Sequence, residues 1–463
     1  MRLVRDSSDN ENELRLSDVL AALSYALDLT SGQPPGHANR TCLIGMRLAA
    51  ELQFNAEDRS ALFYGLLLKD LGCSTNASKM AHLFGGDDGA AKMASKTADW
   101  TNFLPKLGYV AKNVAPGGSM IEKVQAFLRV ALAGDSGAKS LIEMRCERGA
   151  AIARDLQLPD DTALAIRSLD EHFDGRGHPD GLKGDGIPLL ARILGLAQTV
   201  EVFAISRGID AAYDMADARR GTWFDPQLVD ALHAFKNDEG FWATFFSDDP
   251  EAAVARQEPA DRVIPADEDS LDRIASGFAR VVDAKSPWTY QHSAGVSIIS
   301  AGLAETLGMP PSQVRTIRRA GLLHDLGKLG VSNRILDKPG KLDADEIAAM
   351  RKHTEHTQTL LQRVSGFRPL AVLAASHHER LDGKGYHVGR AAEQLPTAAR
   401  ILGVADIFEA LSAKRPYRKD LDPTEVMDIM ARNVLGGGIC PDVFSALKTY
   451  LGAGGYSVAK LAA

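Results

Sequence analysis

Apolar residues recur at spacings of three and four along most of this chain. Segments Leu16–Leu29, Arg40–Leu52, Asp58–Leu68, Leu271–Asp283, His292–Leu307 and Pro311–His324 would each carry one apolar stripe as a helix. Strand-like alternation is scarce, and Gly and Pro punctuate between the helical stretches. The pattern predicts an all-α fold. From Ser247 to Ser270 the chain turns acidic, carries prolines and loses large apolar residues. That places a linker at 247–269, between a first unit spanning 1–246 and a second spanning 270–463. At 463 residues the chain exceeds what one core ordinarily serves, so two domains are expected.

The two units read as copies of each other. Leu-Leu-Lys-Asp-Leu-Gly at Leu67–Gly72 matches Leu-Leu-His-Asp-Leu-Gly at Leu322–Gly327, and His37 matches His292, both 255 residues on. Asp-Gly-Arg-Gly at Asp174–Gly177 matches Asp-Gly-Lys-Gly at Asp382–Gly385, and Ala191–Gly195 matches Ala399–Gly403, both 208 residues on. Four matches at two consistent spacings are hard to obtain by chance. The change of spacing requires an insertion in the first copy, near 73–140, where Ser74–Gly118 has the Gly, Ser, Asn and Asp content of a surface segment.

Composition narrows the class. The chain is 45% hydrophobic and 24% charged with a net charge of −7, which disfavours a general nucleic-acid or membrane-surface binder. Cys42, Cys73, Cys146 and Cys440 are scattered with no CxxC pairing, as expected of free thiols in a reducing compartment. Met1–Glu13 has no apolar core of a secretion signal, and no apolar run approaches the ~20 residues that span a bilayer, so a cytoplasmic location is expected.

Candidate chemistry lies in the second unit. Seven of the 12 histidines fall there: His292, His324, His353, His356, His377, His378 and His387. His324-Asp325 ends an apolar helix, His377-His378 is an adjacent pair, and Asp406 sits within the apolar stretch Ile401–Leu411, where an unpaired carboxylate is costly to bury. Imidazoles combined with carboxylates suit iron, manganese or a related divalent metal, and seven ligands are about the number for two ions.

Five ordered motifs give the resemblance. They are Asp283–Ser293, Leu323–Gly330 (Leu-His-Asp-Leu-Gly-Lys-Leu-Gly), Met350–His353, His377–Tyr386 (His-His-Glu-Arg-Leu-Asp-Gly-Lys-Gly-Tyr), and Arg400–Leu411 followed by Arg415–Arg418. Together they resemble the HD-GYP phosphodiesterases of the HD superfamily of metal-dependent phosphohydrolases. The resemblance implies two tandem HD-type helical bundles, the second catalytic. It implies a di-metal site in which His292, His324, Asp325 and Asp406 hold one ion, and His353, His377 and His378 hold the second with Asp325 bridging. Lys328 would contact a substrate phosphate, and Arg415 and Arg418 would help bind the ligand. His356 is left as a bystander. The implied reaction is hydrolysis of cyclic di-GMP by a metal-activated hydroxide. The alternatives are an HD-type hydrolase of another nucleotide and a non-catalytic signalling scaffold. Two departures stand out. Gly385-Tyr386-His387 replaces the family's Gly-Tyr-Pro, and Trp288 stands where three-metal relatives carry glutamate, so two ions are expected.

Carried back by the two spacings, the ligand positions become His37 and Asp70, which are retained, and Lys69, Arg145, Leu169, Asp170 and Gln198, which are not; Lys328 becomes Cys73. Lys69 and Arg145 would put cations where metals belong, with Lys69 pairing with Asp70 or Asp170. The first unit is therefore expected to be a degenerate copy that packs on, dimerises with or regulates the second, or simply a scaffold left by duplication. Expected partners are cyclic di-GMP and, through the degenerate unit or the Gly385-Tyr386-His387 loop, other proteins or a second copy of the chain. His82 and His172 are expected at the surface. Trp100, Trp223 and Trp242 are expected in the core or at an interface.

Overall fold

Side-chain caps start several of the helices. Asn55 accepts the Asp58 N–H at the head of helix Ala56–Leu68, and Asp267 accepts the Ser270 N–H at the head of Glu268–Asp283. Asp422 and Glu425 form a reciprocal capping box in front of Pro423–Leu435. In this computed structural model the description covers residues 13–84, 120–259, 263–265, 267–287, 289, 291–413 and 421–456. The all-α expectation holds, with one small addition. Glu13–Arg15 pairs antiparallel with Val263–Pro265, Leu14 lying opposite Ile264. This ribbon ties the head of the chain to the entry of the second half.

The first bundle packs helix His37–Glu51 against Ala56–Leu68 and Leu189–Arg207; the second packs His292–Thr306 against Pro311–Leu323 and Thr397–Ser412. The Leu189–Arg207 helix has 19 residues and a mean hydropathy of 1.5, enough by length and composition to cross a bilayer, contrary to the sequence expectation that no run came near. Its apolar side chains are committed to the core instead: Ile193, Leu194, Leu196, Ala197 and Val200 are fully buried, and Glu201 within it meets His37 and Arg40.

The expected insertion begins with helix Ala77–Phe84 and ends in the long helix Met120–Asp155; residues 85–119, including Trp100, lie outside the described residues. The stretch read as a linker carries helix Pro250–Ala255, whose Ala253 and Val254 are buried beside His37–Glu51, as well as the second strand. The halves share one continuous buried apolar cluster. Helix Leu16–Ser31 lies against the 3-10 turn Leu326–Gly330 and helix His353–Arg363, and Thr30 Oγ1 donates to the Leu329 carbonyl at 3.1 Å.

Candidate metal centre

Four helix ends and one helix interior converge in the second half. His324 and Asp325 follow the last residue of Pro311–Leu323, His353 opens His353–Arg363, and His292 opens His292–Thr306. His377 and His378 follow Ala371–Ala375, and Asp406 lies inside Thr397–Ser412. A close backbone crossing fixes two of these ends: a Cβ at Gly327 would collide with the His353 carbonyl. The Gly327 N–H also donates to Thr357 Oγ1 at 2.8 Å, and that hydroxyl donates to the His324 carbonyl at 2.9 Å.

Asp325 is the centre of the cluster. Its Oδ2 lies 3.5 Å from His292 Nε2 and 3.3 Å from His324 Nε2. Its Oδ1 lies 3.6 Å from His353 Nε2 and 3.7 Å from His377 Nε2. Asp406 faces His292 Nε2 at 3.2 Å, His324 Nε2 at 3.8 Å and His378 Nδ1 at 3.6 Å. All seven expected ligands are therefore brought together. Donor atoms of His353, His377 and His378 form one compact group, and those of His292, His324 and Asp406 another.

The imidazoles are oriented as ligands. Nδ1 of His324, His353 and His377 each faces the carbonyl three residues upstream, of Gly321, Met350 and Ala374, at 2.7 Å. A carbonyl only accepts, so Nδ1 carries the proton and Nε2 presents a bare lone pair. His353 Nε2 and His377 Nε2 then face each other at 3.1 Å with no proton to share. That is about the separation of adjacent nitrogen ligands on one ion with bonds of ~2.1 Å. His324 Nε2 and Asp325 Oδ1 are buried and make no hydrogen bond. Buried polar atoms without partners are costly, and a divalent cation would satisfy both. The donor set fits two metals.

Electrostatics agrees. Burial holds His353 at about 3, keeps His378 at about 4 and drives His377 well below the usual imidazole range, so these three are neutral donors at neutral pH. Burial opposes protonation of His292 too, but hydrogen bonds to Asp406 and Glu409 carry it up to about 10; without metal this ring holds the positive charge. Burial would raise Asp325, yet His324 and Lys328 hold it well below the usual carboxylate range. Lys328 Nζ donates to Asp325 Oδ2 at 2.5 Å and remains partly exposed. Arg415, Arg418 and Trp288 lie outside the described residues, and His356 stays outside the ligand groups.

Two residues went unread in the sequence. Glu409 takes the Nδ1 side of His292, so that ring is held by a carboxylate. Glu379 accepts the backbone N–H groups of Val388, Gly389 and Arg390 at 2.9–3.1 Å and so folds the loop that carries Tyr386, whose ring packs 4.6 Å from that of His378. The signal for both was available as an echo in the first half. Glu201 bonds His37, and Glu171 accepts the N–H groups of Asp180, Gly181 and Leu182.

The first half repeats the scaffold without the donors. A Cβ at Gly72 would collide with the Arg145 carbonyl, as at Gly327. Lys69 pairs with Asp70 rather than Asp170, Arg145 pairs with Asp170, and Cys73 Sγ donates to Asp70 Oδ1 at 3.2 Å. Arg40 adds a second cation on Glu201 at 2.8 Å. Protein cations stand there in place of metal ions.

The model of the HD domain family matches residues 136–228 and 278–436, one stretch in each half. The 3'3'-cGAMP-specific phosphodiesterase 3 of Vibrio cholerae is 40% identical over 441 residues, 95% of each chain. A crystal structure of a cyclic GMP-AMP specific phosphodiesterase from V. cholerae covers 95% of this chain and 98% of its own, with 37% identity and a TM-score of 0.64. A cyclic di-GMP phosphodiesterase of Pseudomonas aeruginosa is 38% identical over 166 residues, 36% of this chain and 40% of the relative. The chain belongs to the HD domain family, with a degenerate copy in its first half and the HD-GYP pattern in its second.

Proposed function

We propose that this protein hydrolyses a phosphodiester bond of a 3'3'-linked cyclic dinucleotide at the His/Asp cluster of its second half. The observation that carries this is the position of Asp325, one oxygen toward His292 and His324 and the other toward His353 and His377. His292, His324, Asp325 and Asp406 would hold one divalent ion; His353, His377 and His378 would hold a second, with Asp325 available to both. Iron and manganese suit this mixture of imidazole and carboxylate. Two such ions, when bound, lower the pKa of water and polarise phosphoryl oxygens.

The chain's own groups do the rest. Glu409 fixes the His292 ring, and three backbone carbonyls fix the rings of His324, His353 and His377 with Nε2 toward the cluster. Lys328 is close enough to exchange its Asp325 contact for a phosphate oxygen, where its charge offsets the developing anion. Arg415 and Arg418 are assigned to the substrate's phosphates.

For the substrate, the relative that matches nearly the whole chain is named for 3'3'-cGAMP, whereas the P. aeruginosa relative named for cyclic di-GMP matches about a third of it. This favours 3'3'-cGAMP, with cyclic di-GMP, the substrate expected from the motifs, as the second reading. The test is turnover of both by protein loaded anaerobically with iron(II) or with manganese(II), beside metal content. Asp325→Ala should bind less than half the metal and lose turnover to background. A parent protein that binds two metals and cleaves neither dinucleotide would sink the proposal.

A further inference from the structure

The two halves part company beside the loop that carries Tyr386. Their backbones agree there: the Phe173 N–H donates to the Trp223 carbonyl at 3.1 Å, and the Leu381 N–H to the Gly438 carbonyl at 3.2 Å. In the first half, Trp223 fills the space. Its indole stacks on His172 at 4.2 Å, with Arg219 over its face at 3.9 Å, so the expected surface residue His172 is half-buried. Arg192 pairs with Asp225 at 2.6 Å beneath.

In the second half Gly438 stands where Trp223 does, Arg380 where His172 does, and Cys440 where Asp225 does. Arg400, the counterpart of Arg192, donates to the carbonyls of Leu395 and Ala392 at 2.8 and 2.7 Å. Among the described residues no ring fills the place of Trp223; the Arg380 guanidinium lies against Gly438, and beside it a cavity of about 390 Å3 opens. His377, His378 and Tyr386 form the wall it shares with the metal-ligand cluster.

We propose that this cavity holds one purine base of the substrate, with Arg351 selecting guanine; the inference rests on the cyclic-dinucleotide reading above. Leu381, Leu395, Val404, Ile407 and Ile439 make much of the lining apolar, as a flat base requires. A phosphate would need converging cations that are not yet committed. Of the four lining cations, Arg380 is committed to Asp382 and Arg400 to backbone carbonyls, which leaves Arg351 and the exposed Lys384. Arg351 lines the same cavity with its guanidinium over the Tyr386 ring at 5.1 Å, and among the described residues no carboxylate pairs with it. A guanidinium matches the two adjacent acceptors of guanine, N7 and O6, whereas adenine presents an amino donor at that edge. The shared wall puts the phosphate of a nucleotide seated here on the side of the ligand cluster.

The test uses the full-length, manganese-loaded protein hydrolysing bis(p-nitrophenyl) phosphate, with GMP, AMP and ribose 5-phosphate as inhibitors. GMP should inhibit about 10-fold or more better than either of the others. Gly438→Trp rebuilds the plug of the first half. The atoms nearest a Cβ at Gly438 are those of the Arg380 guanidinium, which must release its Asp382 pair to make room. This variant should weaken GMP relative to ribose 5-phosphate by about 10-fold and raise the KM for a cyclic dinucleotide relative to that for bis(p-nitrophenyl) phosphate. Arg351→Met should bring GMP and AMP to within about 3-fold of each other. Ribose 5-phosphate matching GMP in the parent would overturn the base pocket in favour of a phosphate site. An unchanged GMP-to-AMP ratio in Arg351→Met would overturn the selection of guanine, even if Gly438→Trp fails to fold. A parent active on cyclic dinucleotides with unchanged KM in Gly438→Trp overturns the pocket alone. A parent inert on them removes the reading beneath it, and the inference falls with it.

Discussion

At the scale of single residues, the site is a set of imidazoles, most of them held through the far nitrogen. His324, His353 and His377 use backbone carbonyls for this, so their orientation is independent of neighbouring side chains. His292 relies on Glu409. A carboxylate on the outer nitrogen of a ligand imidazole fixes the tautomer and raises basicity, and its loss typically costs 10–100-fold in metal affinity. Glu409→Gln should therefore weaken one of two metal-binding steps by about that factor and leave the other within about 3-fold, as read by manganese titration. The seven proposed ligands were legible in the sequence because each is one of a small menu of residue types at a fixed motif position. Glu409 was not, because it touches no metal. Only its spacing of three from Asp406, one helical turn on the same face, and its echo in Glu201 pointed to it.

At the scale of elements, the informative piece is the loop from Glu379 to Arg390. His387 replaces proline in the family's tripeptide, which removes the fixed φ of a proline from this loop. The structure supplies restraint by other means: the Glu379 carboxylate gathers three backbone N–H groups, and His387 Nε2 lies 2.5 Å from Gln358 Oε1 on the neighbouring helix. His387 is at φ 114°, a region that side chains rarely occupy, so the restraint holds an unfavourable backbone in place. Hydrogen bonds to a charged group contribute about 1.5–3 kcal/mol each and do not sum fully when shared. Glu379→Ala should lower stability by about 3 kcal/mol and speed amide exchange over residues 385–391, as read by chemical denaturation and exchange mass spectrometry. Exchange that stays unchanged there would mean that Gln358 and the glycines suffice. Helices were easy to read from periodicity. This loop was not, since its order comes from one carboxylate and backbone atoms, which leave no periodic trace.

At the scale of the whole molecule, repeat spacing exposed the duplication but gave no account of how the copies meet. Contacts across the halves are direct. Gly277 on helix Glu268–Asp283 runs so close to Leu156 that a Cβ there would meet Leu156 Cδ2 at 2.7 Å. Arg363 lies 4.2 Å over the Tyr25 ring and 3.3 Å from Glu251, and Arg280 pairs with Asp155. With a continuous buried cluster beneath these contacts, opening one half exposes apolar surface of the other. The halves should therefore unfold together. Lys69→Ala removes the ion-pair partner of a carboxylate that is 4% exposed and otherwise faces the Cys73 thiol and His37, at a cost of about 3–5 kcal/mol. Manganese, which the proposed site would bind in the second half, should raise stability by RT ln(1 + [L]/Kd), about 2.7 kcal/mol at a hundredfold excess over Kd. Differential scanning calorimetry should then show one transition that Lys69→Ala lowers and manganese raises, although the two perturbations lie in different halves. Two transitions, one answering only to the substitution and the other only to the metal, would mean that the copies share a surface without sharing their stability.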